Sequence, residues 1–165
     1  MERDEAVRIL EEGYAATRAL LGRLDDEAFA RRGTIGGGEW SAKDLLCHLA
    51  FWERNALEAI EDWGAGHEWR RTHAFDEPGG DDRLNADAEA EFADLGGDEA
   101  RALSASTHVA LISAIHDMSD DQWSAAVLGE EETWGKGIGD ILQGPEGGAF
   151  THAWAHLDDL RGYAG

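Results

Sequence analysis

One hundred and sixty-five residues give room for one domain with a sizeable core and too little for two ordinary ones. Hydrophobic residues make up 42% of the chain, which argues against a disordered polymer, and 14 Lys and Arg against 35 Asp and Glu leave a formal net charge of −21. Such an excess repels phosphate backbones and anionic lipid, so nucleic acid and membrane surfaces are not expected as partners.

The charged N-terminus, Met-Glu-Arg-Asp-Glu, lacks a secretion signal's basic-then-apolar pattern. Residues 4–24 read as an amphipathic helix, with Val7, Leu10, Tyr14, Thr17, Leu21 and Leu24 on one stripe. Residues 25–38 end in three glycines and read as a loop. Ser41 stands at an N-cap position with Asp44 three residues on, an approximate capping box, and opens a helix to Trp63. Its stripe is Leu45, Leu49, Trp52, Ala56, Ala59 and Trp63. At 100° per residue His48 lies about 60° from Leu45 and about 40° from Trp52, so it borders the buried face. Residues 64–97 are the least patterned; a short helix after Asp82 is expected, preceded by an excursion over one end of the fold.

A third helix is predicted over 98–118, with a broad apolar face of Leu103, Val109, Leu111, Ile112 and Ile115. Ser119 stops it and caps a turn through Trp123. Residues 124–148 are glycine-rich, with a helical piece near 138–142. The last helix is predicted over 148–163, where His152 and His156 share an inward face with Ala149, Leu160 and Tyr163. Four amphipathic helices without a strand signal or internal repeat predict an all-α fold. Its expected form is a four-helix bundle, one domain over 1–165, with a long crossover connection between helices two and three.

Three histidines carry the candidate chemistry. His152 and His156 stand at i and i+4, so on a helix their imidazoles can share one metal ion. His48, from another helix, would complete a set of three that leaves a position open for water or substrate. The bland alternative is a set of buried histidines hydrogen-bonded to carboxylates.

The run Gly38-Glu39-Trp40-Ser41-Ala42-Lys43-Asp44-Leu45-Leu46-Cys47-His48-Leu49-Ala50-Phe51-Trp52-Glu53 resembles the W-S-x-K-D-x-L-x-H-L-x-x-W-E signature of the DinB/YfiT-like superfamily. The terminal His152-Ala-Trp-Ala-His156-Leu-Asp-Asp-Leu-Arg161 resembles that superfamily's closing H-x-x-x-H helix. The resemblance implies a bundle with one divalent metal held by His48, His152 and His156, often as a dimer, with thiol-dependent transferases or isomerases among the relatives. The closing run also resembles a branch of hydrolases that protect cells from a reactive natural product. That branch has a more aromatic middle motif than residues 129–148 here.

The remaining candidates divide more blandly. Asp44 reads as a cap, and Asp159 as a solvated acid or a carboxylate behind His156. Glu53 lies about 140° from His48 and is not expected to ligate. Trp52 reads as core, and His108 and His116 as non-ligands. His67, Trp69, Arg70, Arg71 and His73 read as a surface loop, with a cap over the site or a binding place for an anionic substrate group as the alternatives. Cys47, the single cysteine, permits no intramolecular disulfide and reads as a buried filler.

A divalent-metal-dependent enzyme acting on a small-molecule substrate follows as the expectation, by hydrolysis or by transfer of a low-molecular-weight thiol. Zinc or nickel is the first choice of metal, with iron or manganese next. The alternative is a metal-free or vestigial bundle serving as a ligand-binding or protein-interaction module. With no run near ~20 apolar residues, the chain is expected to be cytoplasmic, and its Trp-rich helix faces suit a homodimer.

Overall fold

The structure, a computed structural model, describes residues 1–33, 35, 39–75, 78–128, 131–144 and 147–164. The glycine run 36–38, read above as the end of a loop, and Pro145 of the glycine-rich stretch lie outside the described residues. The fold is all-α. Among the described residues the α-helices number nine, with one 3-10 turn, so the count of four is not reproduced. Two isolated antiparallel bridges, Ile35 with Trp40 and Ala126 with Thr133, tie down loops.

Helix α1 (Arg3–Leu21) starts on Asp4 and Glu5 and ends on Arg18, charges that complement its dipole. Its buried face is Val7, Leu10, Gly13, Thr17 and Leu20–Leu21, with Tyr14 at the margin. The predicted loop after it contains a short helix, α2 (Asp26–Ala30), capped by the Asp25 side chain. Phe29 of α2 is 1% exposed, with the Arg101 guanidinium 3.8 Å above its ring. Burying such a ring contributes about 1.5–3 kcal/mol, which explains why so brief a helix holds.

Helix α3 (Ala42–Gly64) is the longest element and the centre of the packing. Its capping box is fully formed: Ser41 accepts from the Asp44 amide, and Asp44 accepts from the Ser41 amide at 2.9 Å. After α3 the chain runs through residues 65–79, including the 3-10 turn Thr72–Phe75, into α4 (Gly80–Phe92). Gly80, Leu84, Ala88 and Phe92, four residues apart, are the buried stripe of α4. This helix lies antiparallel to α3, because Trp52 donates to Asn85 while Lys43, earlier on α3, donates to the carbonyls of Ala93 and Leu95.

Helix α5 (Gly97–Asp117) makes the largest contact with α3. The broad face expected for it narrows to Ala100, Ser104, Thr107, His108, Leu111 and Ile115, and Val109 is 65% exposed. Ser119 caps α6 (Asp120–Trp123), as its sequence indicates, and α7 (Trp134–Ile141) follows.

The predicted last helix differs most. Residues 148–151 are not helical, and Phe150 takes a positive φ of 63° while burying its ring. Helix begins only at His152, as α8 (His152–Ala155), is interrupted at His156, and resumes as α9 (Leu157–Ala164). Both pieces pack on α1. Gly13 makes this possible: a methyl there would come 2.8 Å from the Trp154 indole nitrogen, which donates to the Ile9 carbonyl. Two apolar clusters result. One runs from the middle of α3 to α4, α5 and α7, and the other joins the start of α3 to α1, α2 and α9.

Candidate metal centre

The second turn of α3 carries His48, held in register by the Ser41–Asp44 cap one turn earlier. His152 is delivered differently. Its amide donates to the Leu142 carbonyl, and the Thr151 hydroxyl donates to the Gly148 carbonyl at 2.6 Å, so a tight turn fixes the start of α8. His156 sits at the break that ends α8.

The three rings meet. One nitrogen from each lies within 4.8 Å of the others, and Nε2 of His48 is 2.9 Å from Nε2 of His152. Ring centroids are 4.8–5.3 Å apart, with planes inclined at 80°, 90° and 55°, so the imidazoles approach from different directions. The i,i+4 pair therefore converges as its spacing suggests, although the helix that was to carry it is broken at its second member.

Burial, reinforced by the neighbouring imidazoles, holds His48 well below the ordinary histidine range. Burial, then His156, takes His152 down to about 3. His156 is also lowered by burial, with the nearby Asp159 carboxylate partly opposing. All three favour the neutral, metal-ligating form at neutral pH. The all-nitrogen set thus fits a divalent ion in donor type, number and protonation.

The surrounding carboxylates behave more blandly. Asp44 is spent on its cap. Nδ1 of His48 is buried without a hydrogen-bond partner among the described residues, so no carboxylate orients it. Asp159 is exposed and acts on His156 only through its charge.

A cavity of about 850 Å³ opens from the three rings, and Trp40, Trp52, Trp63, Trp69 and Phe75 form much of its wall. Trp52 is 7% exposed and lies 6.1 Å from His152, so it is both core and cavity wall. Trp69 reaches the wall as part of the segment for which a cap is one alternative above, whereas Trp63 and Phe75 were not legible as wall, and the return of the chain over α3 is what brings Phe75 in.

The segment 67–73 does form a cap, but it is not an anion site. Arg70 is bound to Asp62 at 2.7 Å and Arg71 to Glu58 at 3.1 Å, so both guanidinium groups fasten the segment to α3. Asp62 is held down to about 2 chiefly by its hydrogen bonds from Arg70. His67 and His73 are exposed. His116 is exposed on α5, and His108 is buried away from the three rings, 2.7 Å from Glu53 and stacked on Tyr14 at 3.9 Å. Burial pushes the Cys47 thiol up to about 11, so it is no thiolate nucleophile.

Comparison with known proteins identifies the family and the fold. A family model, the DinB superfamily, matches residues 9–157. No curated protein matches in sequence. An uncharacterised protein of Escherichia coli UTI89 is similar in structure, with a TM-score of 0.79 at 16% identity over 98% of this chain and 92% of that one. The colibactin self-resistance protein ClbS, solved in complex with a dsDNA, is similar with a TM-score of 0.75 at 14% identity, over 98% of this chain and 92% of that one.

ClbS corrects one expectation. Nucleic acid was set aside on net charge, yet a protein of this fold is seen holding duplex DNA. Net charge is a sum over the whole surface, whereas a duplex meets one patch of it, so a total of −21 does not decide the matter. For membranes the structure says only that no helix of the described residues is long and apolar enough to cross one. The matched family model spans residues 9–157, most of the sequence, and the chain belongs to the DinB superfamily.

Proposed function

We propose that His48, His152 and His156 hold one divalent metal ion and that the chain is a metal-dependent enzyme acting on a small molecule bound in the adjoining cavity, by hydrolysis or by transfer of a low-molecular-weight thiol. The observation that carries this reading is the convergence of three neutral imidazole nitrogens within 4.8 Å at the inner end of that cavity. Imidazole donors suit zinc and nickel first, then iron, with manganese the weakest fit. When bound, such an ion supplies Lewis acidity at a position that three protein ligands leave open.

The chain's own residues do the rest. Trp40, 4.7 Å from the His48 ring, and Trp52 shield the imidazoles from bulk water. The aromatic wall binds the apolar body of a substrate, in a volume suited to a drug-sized molecule. Asp159, beside His156, is the carboxylate available to take a proton from a nucleophile held there.

One distance favours a second reading. The 2.9 Å between the His48 and His152 nitrogens is a hydrogen-bond length, shorter than the roughly 3.3 Å between two nitrogens on a tetrahedral zinc. On that reading the bundle is metal-free and the cavity binds a ligand without turnover. Elemental analysis of protein purified without a nickel column separates the two. Bound metal, or tight uptake of added zinc or nickel, is expected; the absence of both rejects the enzyme reading.

A further inference from the structure

The charge lining the cavity is as one-sided as its walls are aromatic. Asp81, Glu132, Asp140 and Asp159 line it, and no lysine or arginine does among the described residues. Lys136, outside the lining, answers Glu132 at 3.0 Å and also binds Asp140. Asp81 and Asp159 have no hydrogen bond or ion pair among the described residues that would offset them.

One of the wall's rings is hydrogen-bonded to the helix that carries a lining carboxylate. The Trp52 indole donates to Asn85 at 3.0 Å, and Asp81 lies one helical turn before Asn85 on α4. Phe75 is 6.3 Å from Trp52 and 5.8 Å from Trp69, with the planes inclined by 35° and 31°. Three rings thus form a continuous wall of the cavity that Asp81 also lines. Phe75 is 41% exposed, an apolar surface left open at a cavity rather than folded into the core.

An aromatic wall flanked by carboxylates attracts a cation twice, through the ring quadrupoles and through the formal charges. We infer that the cavity selects a positively charged small molecule with an apolar body, holding its charge at the wall formed by Trp52, Phe75, Trp69 and Asp81, and that it disfavours anionic ones. The inference rests on the proposed function only in giving the inner end of the cavity a reacting centre. A substituted ammonium group would then bind at the outer wall while the part of the molecule to be transformed reaches the histidines. An anionic thiol such as glutathione would be a poor partner.

The test uses the full chain, stripped of metal so that no carboxylate probe can ligate an ion. Calorimetric titration compares benzyltrimethylammonium, benzyl alcohol and phenylacetate, which differ mainly in charge. The ammonium compound is expected to bind about tenfold more tightly than the alcohol, and phenylacetate more weakly than either. Asp81→Asn, at an exposed position, should narrow the preference for the ammonium compound over the alcohol, with an unchanged circular-dichroism spectrum showing that the fold is intact. Equal affinities, a preference for phenylacetate, or a preference that survives Asp81→Asn unchanged would overturn the inference. Metal uptake is measured separately on the same samples: failure there rejects the metal-enzyme reading and leaves charge selection standing, and the reverse holds equally.

Discussion

Replacing His152 by alanine is the sharpest perturbation of the proposed centre. Its ring nitrogen is 2.9 Å from that of His48, and its ring is 5.2 Å from that of His156, so it is the member that both others approach. Four-ligand structural zinc sites gain roughly 10–16 kcal/mol on binding, or roughly 2.5–4 kcal/mol for each ligand. Loss of one ligand from a set of three should therefore weaken zinc or nickel binding by about two to three orders of magnitude. Competition against a chromophoric chelator, on protein never exposed to a nickel resin, measures the change. His116→Ala, an exposed position on α5, is the control and should bind as the parent does. Unchanged affinity in His152→Ala would remove His152 from the site. Equal losses in both variants would mean that surface imidazoles, not a built centre, take the metal.

Acid should weaken the metal-free protein. His152 has a folded pKa of about 3 against an ordinary 6.5, so between those values the unfolded chain binds a proton that the folded chain refuses. Stability is complete above about 6.5 and is lost as pH falls toward 3, by up to about 2 kcal/mol at pH 5 from this group. Urea unfolding in a chelator at pH 7 and pH 5 should show the loss, and His152→Gln should reduce it; an identical loss in both proteins would count against the assignment. Glu53→Ala leaves the buried His108 without its 2.7 Å partner and should cost about 1–3 kcal/mol in the same experiment. A change within error would show that water replaces the carboxylate. Gly80→Ala places a methyl against the Ala74 carbonyl oxygen, so the turn carrying Phe75 must shift. Weaker binding of benzyltrimethylammonium, with unchanged metal uptake, is the expected result.

Local signals carried much of this structure. The Ser41–Asp44 box and the Ser119 cap are short-range hydrogen-bond patterns, and both form as their sequences indicate. The three histidines were legible because i,i+4 spacing and the edge of a stripe are geometric statements about helices. The end of the chain was less so. A helical period over 148–163 does not reveal that Phe150 takes a positive φ to bury its ring, or that the helix is interrupted at His156. Short α2 was missed because one buried phenylalanine and a cap sustain it, with no periodicity to detect. Most of the cavity wall was invisible for a different reason. Phe75 and Asp81 reach it through a return of the chain whose anchors, Arg70 on Asp62 and Arg71 on Glu58, are contacts between segments with no pattern of their own, although Trp69 beside them belongs to the segment for which a cap was one alternative.

Those anchors place several duties on α3. The helix carries His48, the wall residues Trp52 and Trp63, and the two carboxylates that tether the returning segment. Fourteen residues separate His48 from Asp62, roughly 21 Å of rigid rod. Ligand and tether therefore keep a fixed separation, and entry to the cavity must come from its other sides, the returning segment or the glycine-rich stretch before α8. Both are additions to the rod rather than parts of it. Their residues can be exchanged to reshape the cavity while His48 stays where it is.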